Sequence, residues 1–187
     1  RILFSKYGGV VIDGGAFIGD HTVAYADAVG PSGQVLAFEP NPAAYECLRF
    51  NTQSRPQVLC IPAALSATRS AVHLFQYPEN AGATFVQSAG AGISAVPLDS
   101  FTFDRLDVLK LDVEGFELQA LRGAERTVQQ HHPVMVIETG VQLQRYGDTH
   151  QALAAWLEAH GYVFSVLPFA KGQGHDVFDV LAQPMAA

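Results

Sequence analysis

Charged residues are scarce in this chain, and basic residues are scarcer than acidic ones. Only 16% of the 187 residues are charged, with 11 Lys and Arg against 18 Asp and Glu, which gives a formal net charge of -7. A nucleic-acid binder must neutralise phosphates, and an anionic membrane surface also recruits basic residues. The charge balance therefore predicts neither a nucleic-acid partner nor a membrane partner.

Cysteine and long apolar runs are lacking as well. Only Cys47 and Cys60 are present, which excludes a disulfide scaffold and a four-cysteine zinc site. The longest uncharged stretch, residues 80–98, contains Gly, Ser, Asn and Gln throughout, so it does not predict a transmembrane helix. Because no signal peptide is visible either, we expect a cytoplasmic location.

The remaining sequence alternates short apolar runs with helical patterns, and 49% of its residues are hydrophobic. This alternation predicts an α/β fold with an open, mostly parallel sheet and helices on both faces. Predicted strands cover residues 9–13, 34–38, 58–61, 107–112 and 134–138, and two later strands, 162–167 and 177–181, form an antiparallel pair at one edge. Predicted helices cover residues 20–29, 42–52, 116–123 and 148–160, the last with Asp148 as its N-cap. The length predicts a single domain over residues 1–187, with a β-rich flap or elaboration at about 63–97.

Acidic residues follow three of the predicted strands, at Asp13, Glu39 and Asp112. The carboxyl ends of parallel strands meet at one edge of an open sheet, where ligands bind, so we expect these side chains to lie close together. A glycine-rich turn follows the first strand and would allow close approach of a ligand. Its expected cofactor-binding residues are Asp13, Gly14, Gly15, Ala16 and Gly19.

Two cofactor classes fit such a turn, a dinucleotide and S-adenosylmethionine. A carboxylate at Asp13 would repel pyrophosphate but attract a sulfonium or ammonium group, which favours S-adenosylmethionine. Glu39 lies at the distance along the chain where either class places an acid on the ribose hydroxyls. Glu39 therefore predicts a ribose without deciding which cofactor carries it.

Asp112 is the last residue of the predicted strand over residues 107–112, and another acid, Glu114, lies beside it in the turn that follows. Carboxylates this close perturb each other's titration and could hold an ammonium group, a metal or a substrate hydroxyl. No His and Asp spacing in the sequence calls for a metal, and we predict none. For Glu117, three residues further on, we expect only a favourable place at a helix N-terminus.

These motifs together resemble the FkbM-type family of S-adenosylmethionine-dependent methyltransferases. The resemblance covers about three quarters of the chain, and its most specific part is the string Lys-x-Asp-Val-Glu-Gly-Phe-Glu over residues 110–117. It implies a class I methyltransferase fold, Rossmann-like, with seven strands of which the last is antiparallel. It also implies O-methylation of hydroxyls on small molecules or sugars. Further residues matching its motifs, which are expected to bind cofactor, are Pro40, Asn41, Ala63 and Ala64. Phe17 departs from the family, which usually has Asn or His at that position.

An alcohol is a weak nucleophile at neutral pH, so a general base would assist methyl transfer to oxygen. The candidates are Asp112, Glu114, Glu138 and His21. Two other functions remain open from the residues alone, an NAD-linked oxidoreductase with a Rossmann fold and a non-catalytic module that binds S-adenosylmethionine. The methyl acceptor and the oligomeric state are not predicted.

Overall fold

The computed structural model describes residues 8–77, 80–89, 92–167 and 177–185. Its helices and strands, in chain order, are β1 (Val10–Gly14), α1 (Asp20–Val29), β2 (Gln34–Phe38), α2 (Pro42–Thr52), β3 (Val58–Ile61), β4 (Ala63–Leu65), β5 (Ser70–Tyr77), β6 (Asn80–Ala89), β7 (Ile93–Val96), β8 (Val108–Leu111), α3 (Glu117–Arg122), α4 (Glu125–His131), β9 (Val134–Gly140), α5 (His150–Ala159), β10 (Tyr162–Val166) and β11 (Val177–Pro184). Short 3-10 helices cover Leu98–Ser100 and Val141–Tyr146.

Seven strands form the central sheet in the order β10-β11-β9-β8-β1-β2-β3. Neighbours among β1, β2, β3, β8 and β9 are parallel, whereas β11 is antiparallel to both β9 and β10. The open, mostly parallel sheet and its antiparallel last strand are therefore as predicted. The parallel strands all end at one edge, which brings the turns that follow them together.

Both faces of this sheet are covered by helices, because the strands carry apolar side chains on alternate faces. On one face, Val11, Val35 and Val108 pack with Ala26 and Val29 of α1. On the other face the core is contributed by β1, β2, β8, β9, α3, α4 and α5, and it includes Ile12, Phe38, Leu109, Ile137, Leu121, Val128 and Leu157. The central strands are thus fixed from both sides, which gives the turns at their carboxyl ends a rigid base.

A second sheet has the order β4-β7-β5-β6 and comes from the segment predicted as a flap. β4 pairs in parallel with β7, and β5 pairs antiparallel with both β7 and β6. Leu65 of β4 and Val96 of β7 belong to the same core as the central strands, so this sheet is anchored there. Residues 78 and 79, between β5 and β6, lie outside the described residues. The single-domain organisation stays a prediction.

The N-cap of α5 differs from the prediction by one residue. Thr149 caps the helix by accepting a hydrogen bond from the Ala152 N–H at 3.1 Å. Asp148 is instead buried, with Oδ1 3.3 Å from the Arg122 guanidinium and Oδ2 accepting from Gln119 at 3.1 Å. Both residue types are good caps, and the tertiary contacts to α3 decide between them.

Within the described ranges, no helix has the length and apolarity needed to cross a lipid bilayer. The cytoplasmic location stays a prediction.

Candidate active site

A cavity of about 360 Å³ opens at the carboxyl edge of the central sheet. Most of the site residues predicted from the sequence line it, because the strands that carry them end side by side. These residues are Gly15, His21, Glu39, Pro40, Ala63, Ala64, Asp112, Glu114 and Glu138. The others, Asp13, Gly14, Ala16, Gly19 and Asn41, do not border the cavity in this structure.

Gly15 stands at the tightest point of the turn after β1. Its φ is +79°, and a Cβ placed on it would lie 1.7 Å from the backbone oxygen of Asp112. The turn is held from the neighbouring strand, because the N–H groups of Gly15 and Ala16 both donate to the Phe38 carbonyl at 3.0 Å. A glycine is therefore required here both for its backbone conformation and for the close approach of the turn after β8.

The remaining small residues of this turn pack closely against neighbouring side chains of the protein. Ala16 is buried against Ala37 and Leu48. A Cβ at Gly14 would lie 2.9 Å from the Leu65 side chain, and one at Gly19 would lie 2.8 Å from that of Leu48. Gly14, Ala16 and Gly19 therefore have packing contacts in this structure, and their contacts with a cofactor stay a prediction.

Glu39 presents a buried carboxylate to the cavity. Oε2 accepts a hydrogen bond from the Phe17 N–H at 2.8 Å, and Oε1 accepts one from the Asn41 N–H at 2.7 Å. Burial raises the pKa of Glu39, and the two backbone hydrogen bonds oppose that shift. Because each carboxylate oxygen can accept a second hydrogen bond, Glu39 is oriented and still able to accept hydroxyl donors from a ligand.

Asp13 corrects the prediction, since its side chain is completely buried and does not reach the cavity. Oδ2 accepts a hydrogen bond from Thr22 Oγ1 at 2.6 Å, and Oδ1 lies 3.4 Å from Lys110 Nζ. The direct contact expected between Asp13 and a cationic ligand is thus replaced by an internal ion pair. The physical reason is register, because Asp13 is paired with Lys110 across β1 and β8.

Lys110 connects this buried acid to the cavity wall. Its Nζ lies 3.2 Å from Asp112 Oδ2 and donates to the Gly15 carbonyl at 3.4 Å. Burial alone would lower the pKa of Lys110, but the carboxylates of Asp13 and Asp112 raise it above its ordinary value. The ammonium group therefore stays charged and fixes Asp112 at the edge of the cavity.

Strand β9 and the turn after β8 contribute three acids to the lining of the cavity, Glu138, Asp112 and Glu114. The pKa of Glu138 is raised by burial and then by the negative charges of Asp112, Asp179 and Glu114. Burial and the charge of Asp112 also raise the pKa of Glu114, which Arg145 lowers. Asp179 lies opposite Glu138 in the β9–β11 pairing. Glu138 therefore has a higher proton affinity than an ordinary carboxylate at a position that borders the cavity.

His21 also lines the cavity, from the first turn of α1. Its side chain is 59% exposed, and its Nε2 lies 3.9 Å from Asp20 Oδ2. An exposed imidazole at the cavity mouth can reach a ligand, but the structure holds it less firmly than it holds the acids.

The β5–β6 hairpin supplies the opposite, more apolar wall. The lining residues from this hairpin are Leu74, Thr84, Phe85 and Val86, and Phe17 and Phe116 extend the apolar surface. Tyr146 Oη donates to the Val86 carbonyl at 2.7 Å, and the Arg145 guanidinium carbon lies 3.7 Å from the centroid of the Phe85 ring. The hairpin thus contributes apolar side chains and the Phe85 ring to the cavity, whereas the carboxylates come from the central sheet and the turns after its strands.

Two non-glycine residues of the lining have positive φ, Phe17 at 48° and Glu114 at 56°. Such a conformation costs an ordinary side chain about 1–2 kcal/mol. Asn and His tolerate it better than Phe, which gives a physical reason for the residues usual at position 17 in the family resembled. Both strained residues border the cavity, as is common at ligand sites.

Within the part of the chain that the structure describes, no group of three or more His, Cys, Asp or Glu side chains has the arrangement of a metal site. The acids at the cavity are instead satisfied by Lys110, by backbone N–H groups and by each other.

A comparison with known proteins identifies the family. The family model described as methyltransferase FkbM domain matches residues 13–164. The chain belongs to the FkbM methyltransferase family. A search of curated proteins finds no match.

Solved structures share the fold of this FkbM chain. An FkbM methyltransferase from Methylobacillus flagellatus KT matches with a TM-score of 0.66 at 18% identity, over 96% of this chain and 45% of its own. A SAM-dependent O-methyltransferase from Thermotoga maritima matches with a TM-score of 0.57 at 16% identity, over 97% of this chain and 61% of its own. Fibrillarin from Aeropyrum pernix, with natively bound S-adenosyl-L-methionine, matches with a TM-score of 0.60 at 13% identity, over 97% of this chain and 68% of its own.

These matches confirm the predicted class I methyltransferase fold. The chain spans less than half the length of the Methylobacillus protein.

The sequence analysis of this FkbM chain did not identify Lys110 and the hairpin residues as lining of the cavity, or Asp179 as the neighbour of Glu138. Lys110 did carry a usable signal, because a lysine inside a buried strand must find a partner, and Asp13 is the acid of the neighbouring strand. The contacts of Tyr146 with Val86 and of Arg145 with Phe85 carried no such signal, since each joins residues 60 positions apart in sequence.

Glu117 lies at a helix N-terminus as expected, since it is the first residue of α3, but its surroundings there were not predicted. Its carboxylate is buried, Oε1 accepts from the Gly115 and Val113 N–H groups at 2.9 and 3.3 Å, and Oε2 has no hydrogen-bond partner among the described residues. Burial raises the pKa of Glu117 to about 7, against the opposing effect of these backbone hydrogen bonds.

This placement predicts a pH-dependent gain in stability for Glu117→Gln. Because the folded pKa lies above the unfolded value of 4.5, the wild-type free energy of unfolding falls as the pH rises from about 4.5 to about 7. Gln keeps the acceptor oxygen and does not ionise, so the variant should gain about 1–3 kcal/mol relative to wild type over that interval. Urea denaturation at a series of pH values measures the difference, and a difference that stays constant with pH contradicts the assignment.

Proposed function

We propose that this protein is an S-adenosylmethionine-dependent O-methyltransferase that acts on a hydroxyl of a small molecule or a sugar. The observation that carries the proposal is that Glu39, Asp112 and Glu138 line the same cavity. One end of that cavity offers an oriented carboxylate suited to ribose hydroxyls, and the other offers a carboxyl pair suited to a reacting hydroxyl.

The residues around Glu39 suit S-adenosylmethionine. Glu39 has capacity for two ribose hydroxyl donors, and Gly15 borders the same cavity. Pro40, Ala63 and Ala64 complete this end as small or rigid walls. Asp112, held by Lys110, would accept from the ammonium group at the amino-acid end. When bound, S-adenosylmethionine supplies a methyl group made electrophilic by its sulfonium.

At the acceptor end, the protein orients an oxygen and takes its proton. Alignment of the reacting atoms can contribute about 7–11 kcal/mol to such a reaction. Glu138 is the assigned general base, because its raised pKa brings its proton affinity closer to that of an alcohol than an ordinary carboxylate has. Glu114 and His21 border the same end and would hold further hydroxyls of the acceptor.

The lining also supports a hydroxylated ring as acceptor. Carboxylates accept hydrogen bonds from hydroxyl groups, and the rings of Phe85 and Phe116 offer apolar faces against which a sugar or a small aromatic compound can pack. Phosphate-rich ligands suit this lining poorly, because Glu39, Asp112, Glu114 and Glu138 all contribute negative charge. We therefore expect neither NAD nor a nucleic acid at this site.

Calorimetric titration with S-adenosylhomocysteine and with NAD tests the cofactor. We expect the first to bind and the second not to bind. Glu39→Ala should weaken S-adenosylhomocysteine binding by about 1–3 kcal/mol, since the ribose loses its charged acceptor. Glu46→Ala is the matched control, because Glu46 is an exposed acid of α2 paired with Arg49 at 3.5 Å.

Binding of NAD in preference to S-adenosylhomocysteine would overturn the proposed cofactor, and equal affinity of the Glu39 and Glu46 variants would remove Glu39 from the site.

Incubation with S-adenosylmethionine and a panel of sugars and phenols then tests catalysis. We expect S-adenosylhomocysteine to form together with a methyl ether located by NMR. Release of S-adenosylhomocysteine with a methylated nitrogen or carbon would contradict O-methylation.

A further inference from the structure

The polar groups of Asn41 make contacts with three different segments of the chain. Its backbone N–H donates to Glu39 Oε1 at 2.7 Å. Its Oδ1 accepts from the Ala43 N–H at 3.0 Å and caps α2. Its Nδ2 donates to Gln76 Oε1 and to Thr84 Oγ1, both at 3.1 Å.

These contacts leave the side chain of Asn41 no donor for a ligand. An amide nitrogen has two donors, and both go to the β5–β6 hairpin. Asn41 is also buried, and it does not border the cavity. The structure therefore separates Asn41 from the cofactor-binding residues with which the sequence groups it, and its connections lie between protein segments.

The two segments that it joins form facing walls of the cavity. Glu39 lines the sheet side, and Thr84, Phe85 and Val86 line the hairpin side. Asn41 is bonded directly to Glu39 and to Thr84. Asn41 therefore connects these two parts of the lining directly, through one residue and two hydrogen bonds.

The far side of the hairpin has its own anchors. Tyr146 Oη bonds to the Val86 carbonyl, and Arg145, which stacks on Phe85, donates to the Glu114 carbonyl at 2.8 Å. A substitution at Asn41 leaves these contacts in place. It should loosen the cofactor side of the hairpin without detaching the hairpin from the protein.

We propose that Asn41 is a positioning residue that couples occupancy of the cofactor end to placement of the β5–β6 hairpin, the wall that receives the methyl acceptor. This inference rests on the proposed function, because it assigns Glu39 to the cofactor. A ligand that fixes Glu39 also fixes the backbone of Asn41, and its amide then holds the hairpin. Since coupling free energies are reciprocal, a hairpin held in place by the acceptor strengthens cofactor binding in turn.

Two variants separate the hairpin contacts from the other contacts of Asn41. Asn41→Ser keeps a good N-cap without adding charge, but its hydroxyl is too short to reach the hairpin. Gln76→Leu removes one of the two acceptors from the hairpin side and leaves Asn41 itself intact. Gln87→Leu is the matched control, because it makes the same change at an exposed position of β6.

Hydrogen exchange of the β5 and β6 amides, followed by mass spectrometry with and without S-adenosylhomocysteine, measures the coupling. In wild type and in Gln87→Leu, we expect the ligand to slow exchange of these amides about tenfold. In Asn41→Ser the slowing should fall below about threefold, with an intermediate value in Gln76→Leu. Circular dichroism of each variant checks that the fold is retained.

The outcomes separate this inference from the proposed function. Ligand binding with the same protection of the hairpin in all four proteins overturns the role of Asn41 and leaves the proposed function standing. A wild-type protein that does not bind S-adenosylhomocysteine overturns both. Loss of protection in Asn41→Ser and Gln76→Leu, but not in Gln87→Leu, supports the coupling.

Discussion

Lys110→Met is expected to lower the free energy of unfolding by about 3–5 kcal/mol, because it leaves the buried Asp13 carboxylate without its counter-charge. Methionine keeps the length and the apolar part of the lysine side chain, so little packing is lost. Thr22 would remain as a hydrogen-bond donor to Asp13, which is not enough to compensate a charge with no exposed surface. Urea denaturation at neutral pH measures the loss.

Two comparisons isolate the ion pair from the substitution itself. Adding Asp13→Asn to Lys110→Met removes the orphaned charge and keeps an acceptor for Thr22, so most of the lost stability should return. Arg55→Met breaks the surface pair between Arg55 Nε and Asp27 Oδ1, which are 2.9 Å apart, and should cost far less because water screens exposed charges. A double variant no more stable than Lys110→Met would show that the ion pair is not the cause.

Gly15→Ala is the second change for which a large effect is expected. The new methyl group would overlap the backbone oxygen of Asp112, and the residue would keep a φ of +79°. Because both the clash and the backbone strain involve fixed main chain, we expect a loss of more than about 3 kcal/mol in the free energy of unfolding. Binding of S-adenosylhomocysteine, measured by calorimetry, should be lost with the geometry of the turn.

Gly147→Ala supplies the control for this prediction. Gly147 has a φ of +73°, close to that of Gly15, and a methyl group there would meet no atom within 4 Å among the described residues. Its cost should be limited to the backbone strain of about 1–2 kcal/mol. Equal losses at the two glycines would mean that the contact with Asp112 yields easily and does not fix the site.

The sequence allowed the strand-end acids to be grouped before the structure was known. Glu39, Asp112 and Glu138 share one cavity because parallel strands end at a common edge, and that rule depends only on finding the strands. The same rule led to the expectation that Asp13 contacts a ligand at this edge, whereas its side chain is completely buried beside Lys110. Whether a side chain at a strand end faces the ligand or the neighbouring strand depends on register and on which face a helix covers.

The opposite wall of the cavity was beyond sequence reasoning for a different reason. The hydrogen bonds from Asn41 to Thr84 and from Tyr146 to Val86 span 43 and 60 residues. No periodicity or cap motif relates positions so far apart. Turn glycines and strand patterns indicated a β-rich segment there, but not which of its residues face the carboxylates.

The antiparallel pairing of β5 with β6 has a consequence for redesign. Val72 is paired with Ala89, so the chain enters and leaves the outer part of the hairpin at adjacent points. A hairpin end of different length or composition could therefore be exchanged beyond this pair without moving the points to which it is joined. For the proposed methyltransferase, new acceptor preferences could be selected in this way from a library of grafted hairpins, while the central sheet and its helices keep their original sequence.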